Sequence, residues 1–314
     1  MSGAGATAAH ADSHGSVTAI IPTLADRARE QSLLRAIASL EAAAVGTPLS
    51  ILVVVNGSRR DPAVLASVKS LGVEVVSIPE ASLPAALLAG RREVDTAYFC
   101  FLDDDDEYLP GAIDARVDAL RRQADAALVI TNGYGCTDGV DEPWLNHIGE
   151  VERDPLLALF QENWLPSCGA LFRSSAVGVD LFEEPQPYRE WTWLAFRIAL
   201  AGKRVAVLDR PTFRVHDSAA SLSKSTAYAM RTDLYRRMLC EPVPAEVRSL
   251  LRKRLAKALG MESVTRLREG NLRAAWQSHV EALALPGGWR YGSQTLRLTK
   301  ASLNRLVASV LIRR

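Results

Sequence analysis

The sequence has few cysteines, no long apolar run and no signal-peptide pattern at its start. These absences argue against a disulfide-rich, a membrane-spanning and a secreted protein, respectively. Its four cysteines lie far apart, with no Cys-x-x-Cys pair and no metal-ligand spacing, which fits a reducing compartment. No apolar run approaches the roughly 18 residues that cross a bilayer. Residues 1–15 lack the basic start and apolar stretch of a signal peptide, and we expect them to be disordered. These absences predict a cytoplasmic protein, or one attached to a membrane only at its surface.

Charge is distributed unevenly along a chain of ordinary composition. With 48% hydrophobic and 23% charged residues, the 314 residues suffice for one large α/β domain with an appendage, or for two modest domains. Residues 226–314 carry 17 Lys and Arg against 6 Asp and Glu, a net of +11, whereas the rest carries 20 against 30, a net of −10. A basic tail on an acidic body predicts that the tail meets a membrane surface or an anionic partner. The alternative is a basic helical face that touches only water.

The first hundred residues alternate between strand and helix patterns. Apolar runs predict strands over 17–23, 49–58, 73–79 and 97–102, and the stretches between them predict helices over 26–43, 61–72 and 83–94. Such alternation is typical of a mostly parallel sheet with helices on both faces, whose ligands bind beyond the carboxyl ends of the strands. Further strands and a helix are predicted over 127–225, and beyond about residue 226 only amphipathic helices.

Four consecutive aspartates, Asp103 to Asp106, follow the fourth predicted strand. In extended geometry Asp103 and Asp105 would share a face, and Asp104 would point away and be dispensable. Partly desolvated carboxylates that face one spot repel unless a cation lies between them, and Mg²⁺ or Mn²⁺ prefers oxygen ligands. The cluster therefore suits a metal–diphosphate site. The alternative is that Asp106 or Glu107 caps the next helix, while the other acids are solvated.

Four segments, in their order and spacing, resemble family 2 glycosyltransferases with the GT-A fold. They read VTAIIPT, ILVVVNGS, FCFLDDDDEYLPGAI and YREWTWLAFRIALAGKRVAVLDRPTFRVH. The resemblance spans about residues 16–222, and its strongest motif is the acid segment, which is similar to the Asp-x-Asp segment of the family. It implies a Rossmann-like GT-A domain over 16–225, with a nucleotide-sugar half (16–110) and an acceptor half (111–225), followed by a basic helical region over 226–314.

The resemblance also implies a nucleotide-diphosphate-sugar donor held through Mn²⁺ or Mg²⁺. Asp105 matches the metal-ligating aspartate of the family, with Asp103 nearer the ribose and Asp106 in support. His216 matches a histidine that joins the metal–phosphate site, and its alternative is an ordinary surface histidine. The candidates for donor binding are Pro22, Thr23, Asn56, Ser58, Asp103, Asp104 and Asp105.

Glu190 matches the acidic motif at the start of the acceptor-side helix of the family, where a carboxylate acts as general base. There it would take the proton of an acceptor hydroxyl as that oxygen attacks the anomeric carbon, in one displacement that inverts the centre. Its alternative role is an acid at a helix N-terminus, favoured by the helix dipole. Trp191, where the family often has Asp, could stack on an acceptor, although helix aromatics more often belong to a core.

Two segments depart from the family pattern. The nucleoside loop reads Val55-Asn56 in place of paired aspartates, and residues 86–90 lack the Arg and Asn that the family has before its acid segment. These departures favour, as one alternative, a module that binds a nucleotide-sugar or a protein without catalysis. A sugar nucleotidyltransferase ranks lower, because the loop after the first strand, PTLADRARE, has no glycine.

The leading prediction is an inverting, metal-dependent glycosyltransferase that acts on a sugar, lipid-linked or metabolite hydroxyl. It would build a polysaccharide, a glycolipid or a glycosylated metabolite, and no nucleic-acid partner is predicted. The basic amphipathic tail would suit a lipid-linked acceptor at the inner face of the cell membrane. The sequence leaves the donor nucleotide, the sugar, the linkage and the oligomeric state open.

Overall fold

The computed structural model describes residues 15–217 and 231–312, so the predicted disordered segment 1–15 lies, apart from its last residue, outside the described residues. The chain divides into two compact units, residues 1–221 and 222–314. The first unit is a mixed α/β structure and the second contains helices.

Nine strands form one sheet within residues 15–217. They are β1 (Val17–Thr23), β2 (Leu49–Asn56), β3 (Glu74–Ile78), β4 (Tyr98–Phe101), β5 (Glu107–Tyr108), β6 (Leu128–Thr137), β7 (Val140–Pro143), β8 (Ala170–Arg173) and β9 (Val205–His216). The order across the sheet is β3-β2-β1-β4-β8-β6-β9-β5, and β7 pairs with β6. The four strands predicted from the apolar runs are parallel to one another, whereas β8 runs antiparallel to both of its neighbours.

The helices of the first unit cover both faces of this sheet, as predicted. They are α1 (Glu30–Ala43), α2 (Pro62–Ser70), α3 (Leu83–Glu93), α4 (Ala112–Arg122), α5 (Pro155–Ala158) and α6 (Glu190–Leu200). Every residue of β1 is buried, and alternate side chains meet different helices. Ile21 shares a core cluster with Leu33 of α1. Ile20 instead lies under α3, so close that a Cβ on Gly90 would be 2.5 Å from its methyl group.

The second unit contains four α-helices within residues 231–312. They are α7 (Thr232–Cys240), α8 (Ala245–Arg268), α9 (Leu272–Leu283) and α10 (Ser293–Ile312). Leu255 and Leu259 of α8 pack with Ala282 of α9 in a small buried cluster. No helix in the described ranges is long and apolar enough to cross a membrane.

One charged side chain of the first unit is completely enclosed. Arg116 of α4 is 0% exposed. Its Nη2 donates to the backbone oxygen of Cys168 at 2.7 Å and to the hydroxyl oxygens of Thr212 and Thr131 at 2.6 and 3.2 Å. Its guanidinium carbon lies 4.4 Å from the centre of the Tyr108 ring. The cation therefore joins α4 to β5, β6, β9 and the loop before β8.

Replacing Arg116 with methionine should lower the free energy of unfolding of the first unit by about 3 kcal/mol, because buried carbonyl and hydroxyl oxygens would lose their donor. Urea denaturation followed by tryptophan fluorescence measures this change. The matched control is Arg122→Met, an exposed position at the end of the same helix, which should stay within about 0.5 kcal/mol of the wild type. An Arg116→Met protein as stable as the control would contradict the interpretation.

Candidate active site

The acid loop, residues 103–106, lies where the carboxyl ends of β1 and β4 meet. The two strands are parallel and in register, with Ile20 opposite Phe101. Leu102, the residue that leads into the acid loop, donates its N–H to the backbone oxygen of Ile20 at 3.0 Å. The acid loop therefore lies beyond the carboxyl edge of the parallel sheet, as the strand pattern predicted.

The acid loop is a tight turn, and the extended geometry predicted for it is wrong. The backbone N–H of Asp106 donates to the oxygen of Asp103 at 3.1 Å, which closes the turn. Asp104 does not point away from its neighbours. It is buried, accepts a hydrogen bond from the Thr23 hydroxyl at 2.6 Å, and pairs with Nη1 of Arg29. These contacts give Asp104 a role in holding the turn.

Two arginines from the β1–α1 region reach the acid loop. Nη1 of Arg29 contacts Asp104 and also lies 3.2 Å from Oδ2 of Asp105. Nη2 of Arg35 donates to the backbone oxygen of Asp105 at 2.6 Å. Sequence reasoning missed both arginines. The signal available for Arg29 was the pair of arginines in the PTLADRARE loop, and Arg35 follows within α1.

Asp106 ties the acid loop to two distant segments. One of its oxygens accepts the backbone N–H of His216 at 3.0 Å, and the other lies 3.7 Å from the thiol of Cys168. Burial, together with the charges of Asp103 and Asp105, raises the pKa of Asp106 well above its ordinary value. Asp106 thereby links the acid loop to the end of β9 and to the segment before β8.

Asp103 is half-buried at the start of the turn. Burial raises the pKa of its carboxyl group to about 7, in spite of a hydrogen bond from Ser167, and the charges of Asp105 and Asp104 add to the rise. A group with this pKa changes its charge near neutral pH.

The alternative in which Asp106 or Glu107 caps the next helix is wrong. Helix α4 has Gly111 at its N-cap position, with a φ of +70° and no side-chain cap. Glu107 instead belongs to β5, where its Oε1 accepts a hydrogen bond from Nη1 of Arg214 at 2.5 Å. The same oxygen lies 3.4 Å from Nε2 of His216. The pairing of β5 with β9 therefore draws Glu107 towards the end of β9.

The predicted metal residues do not form a complete protein site. Within residues 15–217 and 231–312, no group of three or more His, Cys, Asp or Glu side chains is arranged to hold a metal ion. His216 has Glu107 beside its ring, and Asp105 has Arg29 beside its carboxylate. Mg²⁺ is often bound by one or two carboxylates together with substrate phosphates. Asp105 therefore fits an ion that arrives with a diphosphate, rather than one held by protein ligands alone.

The predicted nucleoside residues differ in exposure. Pro22, Thr23 and Asn56 are buried at the ends of β1 and β2, whereas Ser58 is exposed. The hydroxyl of Thr23 is committed to Asp104, so this residue supports the acid loop directly. Gly57 has a φ of +87°, which a glycine adopts without strain as the chain leaves β2.

Helix α6 begins at Glu190, beside the end of β4. The ring of Trp191 packs edge-on against Phe101, with centres 5.2 Å apart. Oε1 of Glu190 accepts the backbone N–H of Tyr188 at 2.9 Å, and burial raises the pKa of the Glu190 carboxyl group. The contact of Trp191 with a core aromatic agrees with the packing alternative, and it places the start of α6 near the acid loop.

A family model and several solved structures match the chain. The model described as Glycosyl transferase family 2 matches residues 18–177, which include the acid loop but neither Glu190 nor His216. No curated protein sequence matches the chain. The solved structures agree with the family model and confirm the predicted fold class.

Three of the similar structures are of S. aureus TarS. TarS residues 1–349 in complex with UDP-GlcNAc gives a TM-score of 0.61 at 14% identity, over 85% of this chain and 81% of that one. The same fragment in complex with UDP gives 0.50 at 14% identity, over 80% and 73%. A structure of TarS gives 0.50 at 13% identity, over 78% of this chain and 43% of that one. At these identities the likeness concerns the fold alone.

Asp103 should make the first unit more stable in mild acid than in mild alkali. Between its ordinary pKa of 3.8 and its folded value of about 7, the folded protein keeps a proton that the unfolded chain releases, so stability falls as pH rises through this window. The midpoint of thermal unfolding, measured in metal-free buffer from about pH 5 to about pH 8, should fall less steeply in Asp103→Asn. Asp118→Asn, at an exposed position on α4, should keep the wild-type slope. Identical slopes for all three proteins would refute the prediction.

Proposed function

The chain belongs to glycosyl transferase family 2, and on that premise we propose that it is an inverting enzyme using a nucleotide-diphosphate-sugar donor and a hydroxyl acceptor. The observation that carries this proposal is the acid loop, which holds four carboxylates in a turn at the carboxyl edge of the sheet, next to the start of α6. The TarS structures with UDP-GlcNAc and UDP support a nucleotide-sugar as the donor class, because they share the fold.

The donor side of the proposed reaction depends on Asp105. Its carboxylate would hold Mn²⁺ or Mg²⁺ together with the donor diphosphate, with His216 as a second candidate ligand, and the ion would neutralise the charge that grows on the leaving diphosphate. Asp103 would contact the ribose side of the donor. Thr23 and Asp106 keep the turn in the shape that presents these two carboxylates.

The acceptor side depends on Glu190. A general base must be ionised and must hold a proton well enough to draw it from a hydroxyl, so a raised pKa favours this role. Burial raises the pKa of Glu190, and the N–H of Tyr188 fixes one of its oxygens. The acceptor would be a sugar, a lipid-linked intermediate or a metabolite, in the synthesis of a polysaccharide, a glycolipid or a glycosylated metabolite.

One observation favours a second candidate, a module that binds without catalysis. Arg29 already pairs with Asp104 and lies beside Asp105, so part of the negative charge of the acid loop is offset without a metal. The altered nucleoside loop at Val55-Asn56 points in the same direction. The two candidates differ in whether a bound donor is turned over.

Turnover should require both Asp105 and Glu190. In a screen of UDP-, GDP- and dTDP-sugars with Mn²⁺, donor hydrolysis or transfer should fall by about a hundredfold or more in Glu190→Gln, which loses the base but keeps donor-induced thermal stabilisation. Asp105→Ala should lose the thermal stabilisation as well as the turnover.

The control for both variants is Asp118→Ala, which removes an exposed carboxylate elsewhere in the unit and should behave as wild type. Donor-induced stabilisation of the wild type without turnover of any donor would favour the binding module. Stabilisation of wild type and Asp105→Ala to the same extent would count against the metal–diphosphate site.

The proposal extends to attachment at the cytoplasmic face of a membrane through the second unit. From Ala282 to Arg314 the chain has six basic residues and no acidic one. Leu296, Leu303 and Val307 of α10 are 76%, 59% and 58% exposed, at a spacing that places them on one helical face, and Trp289 before the helix is 75% exposed. An apolar stripe with basic flanks is the pattern of a helix that lies in the surface of an anionic bilayer.

Binding to vesicles should depend on this stripe. In flotation assays the wild type should bind vesicles of phosphatidylglycerol and phosphatidylcholine, and Leu296→Ser with Leu303→Ser should weaken binding about tenfold, because two apolar side chains no longer insert. The matched control is Met261→Ser with Val280→Ser, which changes two side chains exposed on α8 and α9. The membrane proposal would be wrong if the stripe and control variants bound equally well. It would also be wrong if the wild type bound vesicles of phosphatidylcholine alone as well as it bound the mixed vesicles.

A further inference from the structure

We infer that Arg29 is the counter-cation of the acid loop in the absence of a ligand. When a metal ion binds Asp105, Arg29 releases that carboxylate and pairs with the donor diphosphate. The inference rests on the proposed function and assigns a role to a residue that lies outside the acid segment. It makes Arg29 a donor-binding residue whose partner changes between the empty and the loaded site.

The first step is that one nitrogen serves two carboxylates. Nη1 of Arg29 pairs with Oδ1 of Asp104 and lies 3.2 Å from Oδ2 of Asp105. A guanidinium so placed supplies the positive charge that adjacent carboxylates need when they are partly removed from water. It therefore competes with any other cation for Asp105.

The second step is that the two carboxylates are held unequally. The side chain of Asp104 is 7% exposed and keeps the Thr23 hydroxyl on its other oxygen. The side chain of Asp105 is 23% exposed, and its contact with Arg29 is the longer of the two. An incoming ion can therefore take Asp105 while Asp104 stays paired and the turn keeps its shape.

The third step is that the backbone of Arg29 is held by a hydrogen bond while its side chain reaches solvent. Its N–H donates to Oδ1 of Asp26 at 3.1 Å, which caps the short 3₁₀ turn Arg27–Arg29. The side chain itself is 26% exposed. The backbone of Arg29 is thus fixed, while its guanidinium lies at the surface of the acid loop and within reach of solvent.

The fourth step is the charge of the ligand. A diphosphate that approaches four carboxylates is repelled unless cations lie between them. Once an ion holds Asp105, the guanidinium no longer pairs with that carboxylate. Its planar fork matches phosphate oxygens, to which arginine often binds through two hydrogen bonds.

The test uses two probes, because the inference requires opposite changes. In Arg29→Gln, Mn²⁺ alone should bind about fivefold more tightly than in the wild type, since its competitor is gone. Pyrophosphate with saturating Mn²⁺ should bind about tenfold more weakly, since a phosphate partner is gone. Electron paramagnetic resonance of free Mn²⁺ measures the first affinity, and calorimetry measures the second. An arginine that only stabilised the loop would change both affinities in the same direction.

The matched control is Arg27→Gln, which removes the same charge from the same turn. Arg27 is 67% exposed and lies 3.2 Å from Glu30, away from the acid loop, so both affinities should be those of the wild type. Arg29→Lys keeps the positive charge but loses the planar guanidinium. Its affinity for pyrophosphate should lie between those of the wild type and Arg29→Gln, and this variant provides the test if Arg29→Gln does not fold.

The outcomes separate this inference from the proposed function. Loss of both affinities in Arg29→Gln, or no change in either, overturns the inference alone. If the wild type binds neither Mn²⁺ with pyrophosphate nor Mn²⁺ with UDP, the proposed metal–diphosphate site fails, and the inference fails with it.

Discussion

The guanidinium of Arg116, buried between α4 and the sheet, holds in place the segments that surround the acid loop. It donates to the backbone oxygen of Cys168, whose thiol lies 3.7 Å from a carboxylate oxygen of Asp106. It also lies over the ring of Tyr108, whose hydroxyl donates to the backbone oxygen of Phe101 at 2.8 Å. Phe101 and Tyr108 flank the acid loop in sequence. One cation therefore constrains both ends of the loop and the segment that faces it.

The repulsion among the carboxylates is offset differently at each position. Asp104 has a hydroxyl and a guanidinium, and Asp106 has a backbone N–H and a thiol. Glu107 is paired with Arg214 in the neighbouring strand. Asp103 instead has a raised pKa, so it takes up a proton at a higher pH than an ordinary aspartate does. A loop built in this way can keep four acids in one turn and still change its charge when a cation or a proton arrives.

Patterning was enough to predict the elements but not the contacts that shape the site. The first strand was predicted at Val17–Thr23 and is found there, because a strand buried on both faces is apolar at every position. The helix α7, short and bounded by charged residues, lies in the region predicted to be helical, but no pattern predicted its bounds. The acid loop was predicted to be extended, because four identical residues give no sign of the bond between the N–H of Asp106 and the oxygen of Asp103. Arg29 and Asp104 lie 75 residues apart, and no local pattern pairs them.

The departures from the family pattern acquire a physical meaning in this fold. Helix α3, whose residues 86–90 lack the expected arginine, is committed to packing. Its Gly90 lies against β1, and its buried Arg91 donates to the backbone oxygens of Ser174 and Val177. The guanidinium groups that do contact the acid loop belong to Arg29, after β1, and to Arg35 of α1. A diphosphate binds where a chain supplies positive charge, so the proposed donor would be held from the β1–α1 region rather than from α3, beside the acids proposed to hold the metal.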